Sequence, residues 1–136
     1  MKSWRLVVAA TLFAGLVVLG LTVVIPHAPA TQINQTADYT VRLAVDATGL
    51  GNRTVTVDLA PTGAASPTST VIDRVVIVPT MPLDGMASEN IIAQQTMPGH
   101  YVATGVQFSM AGIWDPAVQI RAGGKEEVAH FTVTVR

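Results

Sequence analysis

Tyr-Thr-Val-Arg-Leu-Ala-Val at residues 39–45 decides the fold of this 136-residue chain, because apolar and polar side chains alternate along it. Residues 53–59, Arg-Thr-Val-Thr-Val-Asp-Leu, repeat the pattern with their valines and leucine on one face. Such alternation is typical of a β-strand with one buried and one wet face. Gly-Leu-Gly-Asn at residues 49–52 is rich in residues that favour turns. These stretches therefore predict two half-buried strands joined by a turn.

Five further segments have the composition of strands, and no stretch after residue 30 shows apolar residues at helical spacing. The predicted strands lie at residues 71–78, 91–96, 101–109, 114–121 and 128–135. Gly123-Gly124 predicts a tight hairpin, and Gly105 predicts a bulge in its strand. Seven short strands in about 100 residues predict an all-β fold, an immunoglobulin-like β-sandwich.

The N-terminus has the pattern of an export signal. Lys2 and Arg5 precede an uncharged apolar run at residues 6–25, which predicts a hydrophobic helix. Ala-Pro-Ala at residues 28–30 resembles a cleavage site, whereas the run is also long enough to span a bilayer uncut, so both interpretations stay open. Either one predicts an extracytoplasmic protein, membrane-anchored or secreted. The expected organisation is a signal peptide or membrane anchor at 1–30, a polar linker at 31–37 and a sandwich domain at 38–136.

Composition narrows the classes of function. The chain is 49% hydrophobic and 12% charged, and beyond residue 30 it holds six basic and nine acidic residues. A nucleic-acid partner is not expected, because such binding needs clustered lysine and arginine. The chain has no cysteine nucleophile, and its serines lie in no motif that pairs them with a histidine and an acid. We therefore do not expect an enzyme.

Methionines and a histidine gather between residues 81 and 110, among prolines and glycines. Thioether sulfur and imidazole suit a soft ion such as Cu(I), and turn residues tend to hold side chains near the surface. The candidate metal ligands are Met81, Met86, Met97 and His100, of which the last two flank a Pro-Gly turn. We expect Met110 to point inward as packing. The alternative is that the methionines fill gaps in a core or serve as adaptable protein contacts.

A set of short motifs suggests a family. They are Gly-Leu-Gly-Asn at 49–52 with a Val-x-Leu strand after it, Gly-His-Tyr at 99–101, and Met-Ala-Gly-Ile-Trp at 110–114 followed by Val-x-Ile. In this order they resemble the YtkA-like domain over about residues 38–136. Similar modules form the C-terminal domain of CopD- and YcnJ-type copper transport proteins, and the FixH group is a relative.

The resemblance implies an extracytoplasmic, non-catalytic β-sandwich that takes part in copper uptake, copper resistance or the metallation of membrane oxidases. Its cargo would be Cu(I), and its partner a membrane copper transporter or an oxidase-assembly protein. The alternative function is a secreted or membrane-anchored module that binds another protein without metal.

Overall fold

The protein is a two-layer β-sandwich, seen in a computed structural model that describes residues 30–62 and 71–136. These residues contain thirteen strands and a short 3-10 turn at Pro82–Asp84. The strands are β1 Ala30–Gln35, β2 Tyr39–Val45, β3 Gly51–Pro61, β4 Ile72–Val78, β5 Thr80–Met81, β6 Met86–Ala87, β7 Ile91–Ile92, β8 Gln94–Met97, β9 His100–Phe108, β10 Gly112–Trp114, β11 Ala117–Ala122, β12 Lys125–His130 and β13 Val133–Val135. The predicted N-terminal hydrophobic helix lies outside the described residues. Within them, no helix has the length and hydropathy of a membrane span.

Two antiparallel sheets form the layers. The first sheet has the strand order β1-β2-β3-β9-β8, and the second has the order β12-β11-β4-β7. Two short pairs, β10-β13 and β5-β6, extend the sandwich at one end. The all-β prediction is confirmed for the part of the chain that the structure describes.

A single hydrophobic core lies between the two sheets. Alternate residues of β2 and β3, including Val41, Leu43 and Val57, are fully buried, and Val118 and Ile120 face them from the second sheet. The polar residues between them point outward, so the period-two pattern of the sequence is the pattern of burial. Burial of this continuous apolar layer holds the two sheets together.

The two ends of the sandwich are distinguished by the registers of the strands. Ala30 pairs with Val45, and the backbone nitrogen of Arg136 donates to the oxygen of Thr48 at 2.9 Å, so these residues share one end. His100 and Lys125 lie at the other, where Lys125 Nζ donates to Asp38 Oδ2 at 2.9 Å. The "Ala30 end" comprises Ala30 and residues 46–53, 82–88, 108–113 and 134–136. The "His100 end" comprises residues 35–39, 61–62, 71–72, 97–101 and 122–125.

The prediction of about seven strands is too low, because several predicted strands are broken where the chain changes sheets. Residues 91–92 pair with β4 in the second sheet, whereas residues 94–97 pair with β9 in the first. The segment 128–135 is likewise divided, since β12 pairs with β11 and β13 pairs with β10. Alternation continues through the second of these breaks, from residue 129 to residue 135, so the sequence pattern alone does not reveal it.

The structure also differs from the prediction of a polar linker at 31–37. Residues 30–35 form β1, which pairs with β2 along its whole length. A strand at the edge of a sheet pairs through its backbone and needs few apolar side chains, so its polar sequence is misleading. Residues 30–35 therefore belong to the first sheet and not to a linker.

Glycine conformations confirm two predicted irregularities. Gly105 has a φ of 77° beside a register shift between β9 and β3, which lets Ala103 and Val106 both face the core. Gly123 and Gly124 both have positive φ in the turn that joins β11 to β12, as a type I′ hairpin requires.

Candidate functional site

The first sheet carries a row of polar and thioether side chains across three adjacent strands at the His100 end. Asp58 of β3 is the register partner of His100 of β9, which in turn is the partner of Met97 of β8. Directly opposite residues place their side chains on the same face of a sheet. Their neighbours Val57 and Tyr101 are buried in the core, so this row lies on the outer face.

A tight turn sets Met97 against His100. Pro98 and Gly99 form the two-residue connection between β8 and β9, and Gly99 has a φ of 74°. Proline followed by glycine at positive φ is the preferred pair for a type II turn. The turn is anchored to β3, since the backbone nitrogen of Leu59 donates to the oxygen of Gly99 at 2.8 Å. Met97 and His100 therefore face each other at the two ends of a hairpin turn.

Asp58 orients the imidazole of His100. Nδ1 of His100 and Oδ1 of Asp58 are in direct contact. Contact with a carboxylate favours the tautomer in which Nδ1–H donates to the oxygen and Nε2 keeps its lone pair. A carboxylate on the far nitrogen is the usual support of a metal-binding histidine, because it holds the tautomer and the ring orientation.

Met97 supplies an accessible sulfur beside this ring. Its side chain is 60% exposed, and His100 is half-buried, so both are open to an ion from solvent. The pair offers one thioether and one imidazole, which is a donor set suited to Cu(I). Two donors at a surface would leave further coordination positions of such an ion open.

Met81 and Met86 form a separate pair at the Ala30 end. They are register partners in the β5-β6 hairpin, but Met81 is buried, and its Cε lies against Gly112 where a Cβ would be. Its role is packing.

The structure does not bring the four predicted ligands together. Two residues after Met86, Ser88 Oγ donates to the backbone oxygen of Gln107 at 2.7 Å. Gln107 lies seven residues beyond His100 on β9, a separation of roughly 23 Å at the usual rise per strand residue. A single ion therefore cannot contact both pairs, and Met97 and His100 are the two predicted ligands that the structure brings together.

Met110 lies at the surface, next to aromatic side chains of the core. Met110 is 43% exposed, so the prediction that it points inward is wrong. Its backbone oxygen instead accepts from Nε1 of Trp114, whose ring is fully buried and meets Phe108 edge to face. Tyr101 is buried at the start of β9, and this burial raises the pKa of its hydroxyl.

Asp58 is the member of the site that sequence reasoning missed. Alternation over residues 53–59 already indicates that its side chain faces outward. What identifies it is the register that sets β3 beside β9, and no local pattern encodes that register. Among the described residues, no cluster of three or more histidine, cysteine or carboxylate side chains is placed to hold a metal. A site here depends on the methionine.

Comparison with known proteins gives a family. A family model described as YtkA-like matches residues 33–119. A search of curated proteins finds no match. Among solved structures, a bromine derivative of BhCBM56 is similar over 75% of this chain and 97% of its own, with 16% sequence identity and a TM-score of 0.47, a likeness that carries no argument about function. The family match covers well over half of the chain and includes the β8-β9 hairpin: the protein belongs to the YtkA-like family.

Proposed function

We propose that this protein is a non-catalytic, extracytoplasmic module that carries Cu(I) on the β8-β9 hairpin and passes it to a membrane partner. Met97 and His100 hold the ion, and Asp58 is the positioning residue for the imidazole. The observation that carries the proposal is the alignment of an exposed thioether with a histidine whose other nitrogen already contacts a carboxylate. Membership of the YtkA-like family supports a copper-related role.

The open geometry of the hairpin favours delivery over storage. Each donor is neutral and lies at the surface, so a partner with further thioether or thiolate ligands can approach the ion directly. A membrane copper transporter or an oxidase-assembly protein is the class of partner that fits. The apolar run at residues 6–25 anchors the chain in the membrane in this proposal.

The strand order also supports an immunoglobulin-like topology, which we propose for the domain. With β2, β3, β9 and β8 taken as strands A, B, E and D, the first sheet has the order A-B-E-D after its extra edge strand β1. With β12, β11, β4 and β7 as G, F, C and C′, the second sheet has the order G-F-C-C′. These are the orders of immunoglobulin sheets.

An anaerobic titration of the full chain in detergent with Cu(I) against a competing chelator tests the metal site. Met97→Ala and His100→Ala should each weaken Cu(I) binding at least about tenfold, because each removes one of two donors. Asp58→Asn should weaken Cu(I) binding by about 10- to 100-fold, as the loss of a supporting carboxylate usually does. Met86→Ala is the matched control, since it removes an exposed methionine at the other end.

The competing function, a protein-interaction module without metal, makes the opposite prediction. In that case Cu(I) affinity is the same in the wild-type chain and in the Met97→Ala/His100→Ala double variant. Equal loss in Met86→Ala would also contradict the hairpin site, because it would indicate unspecific binding to methionine.

A further inference from the structure

Apolar side chains are exposed together at the Ala30 end. Leu83 is 83% exposed, and Leu50, Met86, Met110 and Ile113 are between 40% and 50% exposed. They come from the β2-β3 loop, the β5-β6 hairpin, the loop after β9 and β10, which the strand registers bring to one end. Exposed apolar residues scattered singly are ordinary, but five of the ten large exposed ones among the described residues lie at this one end, as at a contact surface.

The loop that presents Leu50 is braced from within. Arg53 donates from Nε to the oxygen of Gly49 at 3.0 Å and from Nη2 to the oxygen of Leu50 at 2.8 Å. Arg53 and Arg136 also line a cleft of about 550 Å³ beside this loop. Neither guanidinium forms an ion pair with a carboxylate among the described residues.

The chain enters the domain at this same end. Ala30 follows the apolar run at residues 6–25 by only four intervening residues, so it lies at most about 18 Å from the end of that run. A chain anchored by the run therefore holds the exposed apolar group close to the lipid surface. The charged residues of this end, Asp46, Arg53, Asp84 and Arg136, balance to zero, so apolar contact and not net charge governs the interaction.

We propose that the Ala30 end docks onto the outer leaflet of the membrane that anchors the chain, an inference that rests on the proposed membrane anchoring. Leu50, Leu83, Met86, Met110 and Ile113 enter the boundary between headgroups and acyl chains, as the apolar face of an interfacial protein does. Arg53 and Arg136 lie at the level of the lipid phosphates. The Met97–His100 hairpin then points away from the membrane.

Site-specific labelling of the full chain tests this orientation. Because the chain has no native cysteine, an introduced cysteine is the single site that a thiol-reactive label modifies. Leu83→Cys carries an environment-sensitive NBD label in chains reconstituted at low density into phosphatidylcholine vesicles. Val71→Cys is the matched control, because Val71 is an equally exposed apolar residue at the His100 end. We expect nitroxide-bearing lipid to quench the Leu83 label severalfold more than the Val71 label, and iodide in solution to do the reverse.

Each alternative has its own outcome. If the chain does not float with the vesicles in a density gradient, both the anchor and the docking are wrong. If it floats but iodide quenches the two labels equally, the docking alone is wrong. If the Leu83 label is protected from iodide and not quenched by lipid, a second copy of the chain covers this end and the lipid proposal is overturned.

Discussion

At residue 99 the backbone and its surroundings both demand glycine. Its φ of 74° lies in the left-handed region, where a side chain is unfavourable. A Cβ at this position would also lie 2.7 Å from the backbone oxygen of Leu59. Because this oxygen belongs to β3, it cannot move aside without disturbing the sheet. The hairpin that presents Met97 and His100 therefore depends on one residue.

Gly99→Ala should lower the free energy of unfolding by about 2–4 kcal/mol, since it adds a clash to the conformational cost. Gly105→Ala is the matched control, with a φ of 77° and no heavy atom within 4 Å of the added Cβ. It should lose about 1–2 kcal/mol from conformation alone. Chemical denaturation measures both. Equal losses would show that the approach to Leu59 has no energetic role.

At the scale of elements, the edge strand β1 links the first sheet to the chain between β12 and β13. It pairs with β2 through its backbone, and its side-chain amides reach the opposite sheet. Gln32 Nε2 donates to the backbone oxygen of Thr132, and Gln32 Oε1 accepts from the backbone nitrogen of Thr132 at 3.1 Å. Asn34 Nδ2 donates to the oxygen of His130 at 2.8 Å. These amides satisfy the backbone where the chain passes from β12 to β13.

Gln32→Ala should lower the free energy of unfolding by about 0.5–1.5 kcal/mol, because it removes two solvent-exposed hydrogen bonds to the backbone of Thr132. Gln35→Ala, in the same strand, removes a side chain that makes no hydrogen bond among the described residues and should change stability by less than about 0.5 kcal/mol. Hydrogen exchange at the Thr132 amide should accelerate only in the Gln32 variant. Unchanged exchange there would refute the linking role of β1.

At the scale of the whole molecule, the two proposed sites occupy opposite ends. The β8-β9 hairpin and the exposed apolar residues of the Ala30 end are separated by most of the length of β9, roughly 23 Å. No candidate metal-ligating residue belongs to both sites. Substitutions at sites so far apart, without common partners, have independent effects on the free energies of binding and unfolding.

The proposed metal and membrane contacts should therefore be separable by mutation. Leu83→Asp should reduce the lipid contact and leave Cu(I) affinity within about twofold of the wild type. Met97→Ala should weaken Cu(I) binding and leave the quenching of the Leu83 label unchanged. Cu(I) titration of both variants measures the Cu(I) affinity. Lipid quenching measures the membrane contact, with the label at Leu83→Cys in the Met97→Ala chain and at Ile113→Cys in the Leu83→Asp chain. A loss of Cu(I) affinity in Leu83→Asp would mean that the two ends are coupled through the sandwich.

Local alternation was sufficient to predict most of the fold. The burial of Val41, Leu43 and Val57 follows from it, because successive side chains of a strand point to opposite faces. The bulge at Gly105 and the turn at Gly123 were also identified correctly, because glycine readily adopts a positive φ. Of the candidate site, only Met97 and His100 were predicted from the sequence, because these two residues flank one turn.

The sequence by itself determined which residues turn inward, where the chain reverses and which donors are near neighbours, since these depend on a few consecutive residues. Only the tertiary structure decided that Asp58 supports His100, that Met81 and Met86 lie at the opposite end, and that β1 is a strand. Those facts depend on the register between strands distant in sequence. Register is set when the whole core packs at once, and no short pattern specifies it.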